Sequence, residues 1–117
     1  MEMNDQALKN FDFRGASVRT VMIKGEPWWV AADVCAVLEI ENVGNAISRL
    51  EKDDVRQADT LRSNGRPYKM TVVSEPGLYE LIIRSDKPQA RPFRRWIPRA
   101  SSLVRVGPRY MSTFSLI

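Results

Sequence analysis

Residues 26–40 read EPWWVAADVCAVLEI, a strand that runs straight into a helix. Glu26–Val30 has the aromatic and β-branched content of a strand. Trp28 and Trp29 point to opposite faces, so one belongs in the core and the other on a less buried face. Pro27 lacks the amide proton a central ladder needs, so the strand is predicted to lie at an edge. The pattern then changes period without a gap. Ala31, Val34, Cys35, Val37 and Leu38 fall on one side of a helix predicted over 31–39.

Two more strands precede this block. Leu8–Phe13 carries Phe11 and Phe13 at period two, and Ser17–Ile23 is rich in β-branched residues. Arg14-Gly15 and Lys24-Gly25 supply the tight turns of a three-stranded meander, with glycine at the position that needs a positive φ. Downstream, residues 39–42 break the helix and Asn42 can cap the next one, predicted over 43–51. Val43, Ala46, Ile47 and Leu50 form its apolar stripe. Two short amphipathic helices about a tight turn give the outline of a helix-turn-helix. Beyond Lys52-Asp53-Asp54, Val55–Leu61 and Tyr68–Val73 read as paired strands around Asn64-Gly65, a strong hairpin signal.

The second informative block is residues 74–97, SEPGLYELIIRSDKPQARPFRRWI. Ser74 can cap a helix over 75–84, with Glu75 favourable to its dipole and Pro76 tolerated in the first turn. Leu78, Leu81 and Ile82 make its buried stripe. Ser85–Pro88 ends it, and a fourth helix over 88–97 sets Phe93, Trp96 and Ile97 among Arg91, Arg94 and Arg95. Pro98, Gly107 and Pro108 then interrupt any long helix. The expected organisation is a flexible terminus at 1–7, one domain at 8–97, and a partly extended or mobile tail at 98–117. The fold class is α+β: a small antiparallel meander plus a hairpin, packed with about four short helices.

Composition narrows the chemistry. The chain has 117 residues, 44% hydrophobic and 27% charged, which suits one domain with a modest core. No apolar run is long enough to span a bilayer, and the polar N-terminus is unlike a secretion signal, so a cytoplasmic protein without a membrane partner is expected. There is one cysteine and no histidine. An intramolecular disulfide, a cysteine–histidine metal site and a histidine triad are therefore excluded. Cys35 reads as a small buried hydrophobe, with a reactive thiol as the alternative. The carboxylate pairs Asp53/Asp54 and Glu39/Glu41 lie beside no pocket-forming pattern, and no glycine-rich phosphate loop is present. Catalysis, a cofactor and a metal are not expected.

Charge is distributed unevenly. Net charge is +4, yet residues 1–83 sum to −3 and residues 84–117 to +7. A basic C-terminal third faces a polyanion or is simply a solvated tail. Arg91, Arg94, Arg95 and Arg99 are the candidates for phosphate contacts, because guanidinium groups match phosphate oxygens in fork geometry. Phe93 and Trp96 would dock their helix, and the arginines are otherwise solvated. On helix 43–51, Asn45, Ser48, Arg49 and Lys52 recur at i, i+3, i+4 and i+7. Such side chains can read groove edges or hold phosphates, and otherwise form an ordinary polar face near opposing Glu51, Asp53 and Asp54. The hairpin tip Arg62-Ser63-Asn64-Gly65-Arg66 is either a basic finger or a solvent-exposed turn.

Two separated motifs carry a family likeness. Gly25-Glu26-Pro27-Trp28-Trp29-Val30-Ala31, Asp33-Val34-Cys35 and Val37-Leu38, followed by Ala46, Ile47, Arg49 and Leu50, form the first. Ser74, Glu75, Gly77-Leu78-Tyr79, Leu81-Ile82, Arg84-Ser85, Lys87-Pro88, Phe93, Arg95 and Trp96 form the second. In this order, across residues 8–97, they resemble the Bro-N domain, the N-terminal module of BRO proteins of large DNA viruses and of prophage antirepressors. The resemblance implies an α+β fold and a DNA-binding or regulatory role in phage or viral gene control. It implies a prophage-encoded antirepressor-type transcription regulator in the cytoplasm of a bacterial host, with double-stranded DNA as partner. Some antirepressors bind a repressor protein instead, and a phage repressor is the alternative partner. A homo-oligomer is compatible with the strand edge and an exposed tryptophan. The likeness lapses at Pro98–Pro108, where relatives usually continue a helix with Val-Leu-Pro and a basic Arg-Lys-Thr-Gly stretch, and returns at Arg109-Tyr110-Met111. A short out-of-frame stretch in the gene would produce this pattern and damage the last helix. Many relatives also carry a second, C-terminal domain.

Overall fold

The computed structural model describes residues 8–61 and 65–114. In chain order the elements are β1 (Leu8–Phe13), β2 (Ala16–Ile23), β3 (Glu26–Val30), α1 (Ala31–Val37), α2 (Val43–Ser48), a 3-10 turn (Lys52–Asp54), β4 (Val55–Leu61), β5 (Pro67–Val73), α3 (Glu75–Ile83) and α4 (Ala90–Phe114). The meander and the hairpin join into one five-stranded antiparallel sheet of order β1-β2-β3-β5-β4. The fold is α+β. The terminus at 1–7 and the tip residues Arg62, Ser63 and Asn64 lie outside the described residues.

Pro27 corrects the edge prediction, because β3 is the middle strand of the sheet. The reason is local. On one side Pro27 faces Met22 of β2, whereas pairing with β5 begins only at Trp29↔Val73 and continues with Val30↔Val72. The strand is central in order but open on one flank where the proline sits, so the missing amide breaks no β3–β5 bond.

Both turns of the meander are two-residue loops with positive φ at each position: Arg14 at 53° and Gly15 at 88°, Lys24 at 50° and Gly25 at 82°. This is the primed turn whose twist suits a hairpin. An L-residue at its first position is strained by roughly 1–2 kcal/mol, and here an arginine and a lysine occupy it.

Each face of the sheet has its own core. On one, Phe13, Val18, Trp29 and Val73 pack under the helices with Val34, Leu38, Leu78, Leu81, Phe93 and Ile97. On the other, Val21, Ile23, Val30, Ala58, Met70 and Val72 are buried with Leu8, Trp28 and Tyr68 beside them. All of these come from strands. Trp29 is fully buried and Trp28 half-buried, with Arg56 stacked 5.5 Å over its ring. The alternation at Trp28-Trp29 divides the strand between the two cores as predicted. Cys35 is buried among apolar neighbours, which pushes its thiol pKa up.

The helix boundaries follow from caps and close approaches. α1 ends in a Schellman turn: Ile40 N–H donates to the Cys35 carbonyl at 2.8 Å and Glu39 N–H to that of Ala36 at 3.2 Å. Glu39 occupies its left-handed position at φ 58°, where glycine is usual. Asp33 in α1 accepts from Arg19 of β2 three times, from Nε at 2.7 Å and from NH2 and the backbone N–H at 2.9 Å. This hydrogen-bonded pairing holds the Arg19 pKa above its ordinary value against the opposing effect of burial. Ser74 caps α3 by accepting from Gly77 N–H at 3.1 Å, and its hydroxyl donates to Asp54 at 2.7 Å. A side chain at Gly77 would come within 3.1 Å of Asp54, so glycine permits this close docking of the 3-10 turn.

α4 departs furthest from expectation. Instead of ending at residue 97 it runs through Pro98 to Phe114, so within 98–114 the backbone is helical where a partly extended stretch was expected. Proline inside a helix removes one hydrogen bond and crowds the preceding turn. Packing offsets this. Ala100 and Ser101 are buried on the same side as Ile97, and Ser101 Oγ donates to Glu75 of α3 at 2.8 Å. Pro98 itself points outward.

Candidate nucleic-acid interface

Two sets of polar side chains were candidates, and the structure builds them differently. In α4, Ala90, Phe93, Ile97, Ala100 and Ser101 are buried and Trp96 is half-buried. The rings of Phe93 and Trp96 stack at 5.7 Å and an interplanar angle of 21°. Phe13 approaches them at 4.9 and 5.4 Å, and Phe11 and Trp29 meet the Trp96 ring at 6.1 and 6.2 Å. Five aromatic rings thus fix the first turns of α4 on the meander, each contact contributing beyond simple area burial.

Arg91, Arg94, Arg95 and Arg99 are all exposed. At 100° per residue they occupy an arc of about 140° on the helix, opposite Phe93, Ile97 and Ala100. Among the described residues none of the four takes part in an ion pair. Four guanidinium groups therefore share one outward side of a helix whose other side is anchored.

In α2 the candidates do not assemble as predicted. The helix ends at Ser48, with Arg49 as its C-cap and Leu50 N–H donating to the Ile47 carbonyl at 3.0 Å. Extended backbone at Glu51 follows, so Lys52 belongs to the separate 3-10 turn and not to the stripe of Asn45, Ser48 and Arg49. Ser48 Oγ donates to the Asn45 carbonyl at 2.7 Å, an internal bond that competes with any outside partner. No residue of α2 is buried; Val43, Ala46 and Ile47 only lean on the core. Asn45 and Arg49 line an open groove of about 280 Å³ together with Arg84 and Lys87. Those last two cations are already engaged, Arg84 with Glu80 at 3.0 Å and Lys87 with Glu39 at 3.5 Å.

One residue beside the interface was missed. Arg14, in the β1–β2 turn, lines a recess of about 340 Å³ with Arg95 and Arg99. Its signal was in the sequence: an arginine stands in the first position of a primed turn, where Asn, Asp or Gly is usual.

Residues 17–100 match the family model of the BRO family, N-terminal domain. The chain belongs to the BRO family through this Bro-N domain. A relative, a Haemophilus influenzae protein described as uncharacterized, is 33% identical over 99 residues, covering 80% of this chain. The chain spans about half that relative's length, 47% of it. No solved structure matches the chain. Bro-N domains are linked to prophage antirepressors and DNA-binding regulators. The residues that carried the resemblance serve mostly to build the Bro-N fold. Asp33 pins α1 to β2, Gly77 admits Asp54, and Phe93 and Trp96 seat α4. Among the described residues no helix is long and apolar enough to cross a membrane, and no cluster of metal-ligating side chains occurs.

Proposed function

We propose that this Bro-N domain is an antirepressor-type transcription regulator of a phage or prophage that binds double-stranded DNA through the outer side of α4. Arg91, Arg94, Arg95 and Arg99 hold backbone phosphates, and Asn45, Ser48, Arg49 and Lys52 are secondary contacts near a groove. The cytoplasm of the bacterial host is the setting, and the role needs no catalysis and no cofactor. The observation that carries the reading is the exposed arc of four arginines, without ion-pair partners among the described residues, over an aromatic anchor. Guanidinium forks suit phosphate oxygens, and a rigid helix holds them at fixed spacing.

The test is fluorescence anisotropy of labelled duplex DNA with the full chain at several salt concentrations. Four neutralised phosphates give a log–log slope of about −3 to −4. A flat salt dependence, or no binding in low salt, refutes the reading. A second reading is a module that inactivates a phage repressor without touching DNA. Ile83 and Leu103, 67% and 52% exposed on α3 and α4, favour it, because large apolar side chains on a surface suit a protein partner. Capture of the cognate repressor by a chain that leaves DNA unbound is the result it requires. A homo-oligomer formed through the same side chains would show as a doubled mass in light scattering.

A further inference from the structure

We propose that Arg14 completes, with Arg95 and Arg99, a phosphate-binding recess between the β1–β2 turn and α4, which takes a backbone phosphate of duplex DNA. The inference rests on the DNA-binding reading of α4 and extends the contact from the helix onto the sheet.

The recess has three arginines around it and an aromatic floor. Phe13, Pro92 and Trp96 line it with the three guanidinium groups, and Phe13 is buried while Arg14, Arg95 and Arg99 are exposed. Arg14 lies over the Phe13 ring at 5.5 Å, which restrains its long side chain. Arg95 and Arg99 stand at the end of the α4 arc that faces the turn, so the recess continues the basic side of the helix. One carboxylate, Asp12, also lines it. Its Oδ2 accepts from Gly15 N–H at 3.3 Å, a bond that holds the turn. Three cations against one anion leave a local charge of about +2, enough to hold a monoanionic phosphate diester and able to supply fork donors from more than one side.

The backbone supplies a control. Arg14 sits at φ 53°, a strained conformation that Asn, Asp or Gly would adopt with less cost. The strain does not by itself mark function, and what sets Arg14 apart is the recess beside it. Lys24 occupies the equivalent place in the β2–β3 turn at φ 50° and lines no such recess among those described. It is the natural control.

The experiment compares Arg14→Asn and Lys24→Asn in the full chain. Both should raise the midpoint of thermal unfolding, since Asn tolerates the left-handed turn. Arg14→Asn should nevertheless weaken duplex binding by about tenfold and make the salt slope about 0.9 shallower, the signature of one lost phosphate contact. Lys24→Asn should leave affinity and slope at the wild-type values. Because the first variant folds better, its loss cannot come from unfolding. Unchanged affinity and slope in Arg14→Asn overturn the recess and leave the α4 reading standing. A wild-type chain that binds no duplex overturns both. Inorganic phosphate bound through Arg14 by a chain indifferent to duplex would assign the recess to the free anion and overturn the DNA contact.

Discussion

Helices α4 and α2 both turn polar side chains outward, but they stand on different foundations. The first turns of α4 set two rings of their own on three of the meander, and its four arginines carry no ion-pair partner among the described residues. α2 has six residues, none buried, and the cations along its groove at Arg84 and Lys87 are paired with Glu80 and Glu39. A charged side chain contributes to recognition when its backbone is fixed before the partner arrives and its charge is not already neutralised at home. By that measure α4 is the better preorganised of the two, although α2 is capped by Asn42 and leans on the core.

The sharpest way to break the contrast is to remove the foundation. Phe93→Ala is expected to cost about 3–5 kcal/mol of stability, read from urea unfolding, because it empties a fully buried place against Phe13 and Trp96. A loss under about 1 kcal/mol would mean that α4 is held elsewhere. Next comes charge removal on each helix in parallel. Gln at Arg91, Arg94, Arg95 and Arg99 together should abolish most of the salt dependence of duplex binding, a slope change of about 3–4. Replacing Arg49 and Lys52 with Gln should change it by less than about 1, read in the same anisotropy titration. Equal effects would erase the distinction.

Asp33→Asn acts on the α2 side through the α1 pin. Leaving the partly buried Arg19 without its carboxylate should cost about 1.5–3 kcal/mol in urea unfolding, with DNA affinity unchanged while the chain stays folded. The smallest effect runs the other way. Glu39→Gly relieves the left-handed residue between α1 and α2 and should gain about 1 kcal/mol, less whatever the exposed Lys87 pair contributes. A loss there would mean that the Lys87 contact outweighs the backbone strain.

Much of the fold was legible because local signals agreed with one another. The shift from period two to helical period at Val30-Ala31, the two X-Gly turns, and the caps Asn42 and Ser74 each place an element boundary within a residue or two of where it stands. Misreadings came where tertiary contacts outrank local preference. Pro98 is a helix breaker by itself, yet burial of Ile97, Ala100 and Ser101 carries α4 past it. Pro27 signals an edge, yet its strand is central and is flanked by β5 only from Trp29 onward. Lys52 fits the helical spacing of Asn45 and Ser48, yet the extended residue Glu51 ends the stripe before reaching it. Of the candidate site, the outward arc of arginines could be read from spacing against Phe93 and Ile97. The nearness of Arg14 could not, because it depends on how the meander's first turn folds up against α4, some 80 residues along the chain.

The slender join between β3 and β5 has a consequence of its own. Two residue pairs, Trp29↔Val73 and Val30↔Val72, stitch the meander to the hairpin, while each half is laced internally by longer ladders. Such a sheet has a weak seam, and its halves are the natural blocks of sub-global opening. Deuterium uptake should therefore mark the amides flanking the stitch before those within either ladder. Separating the halves further would open the core that Val21, Ile23 and Val30 share with Ala58, Met70 and Val72.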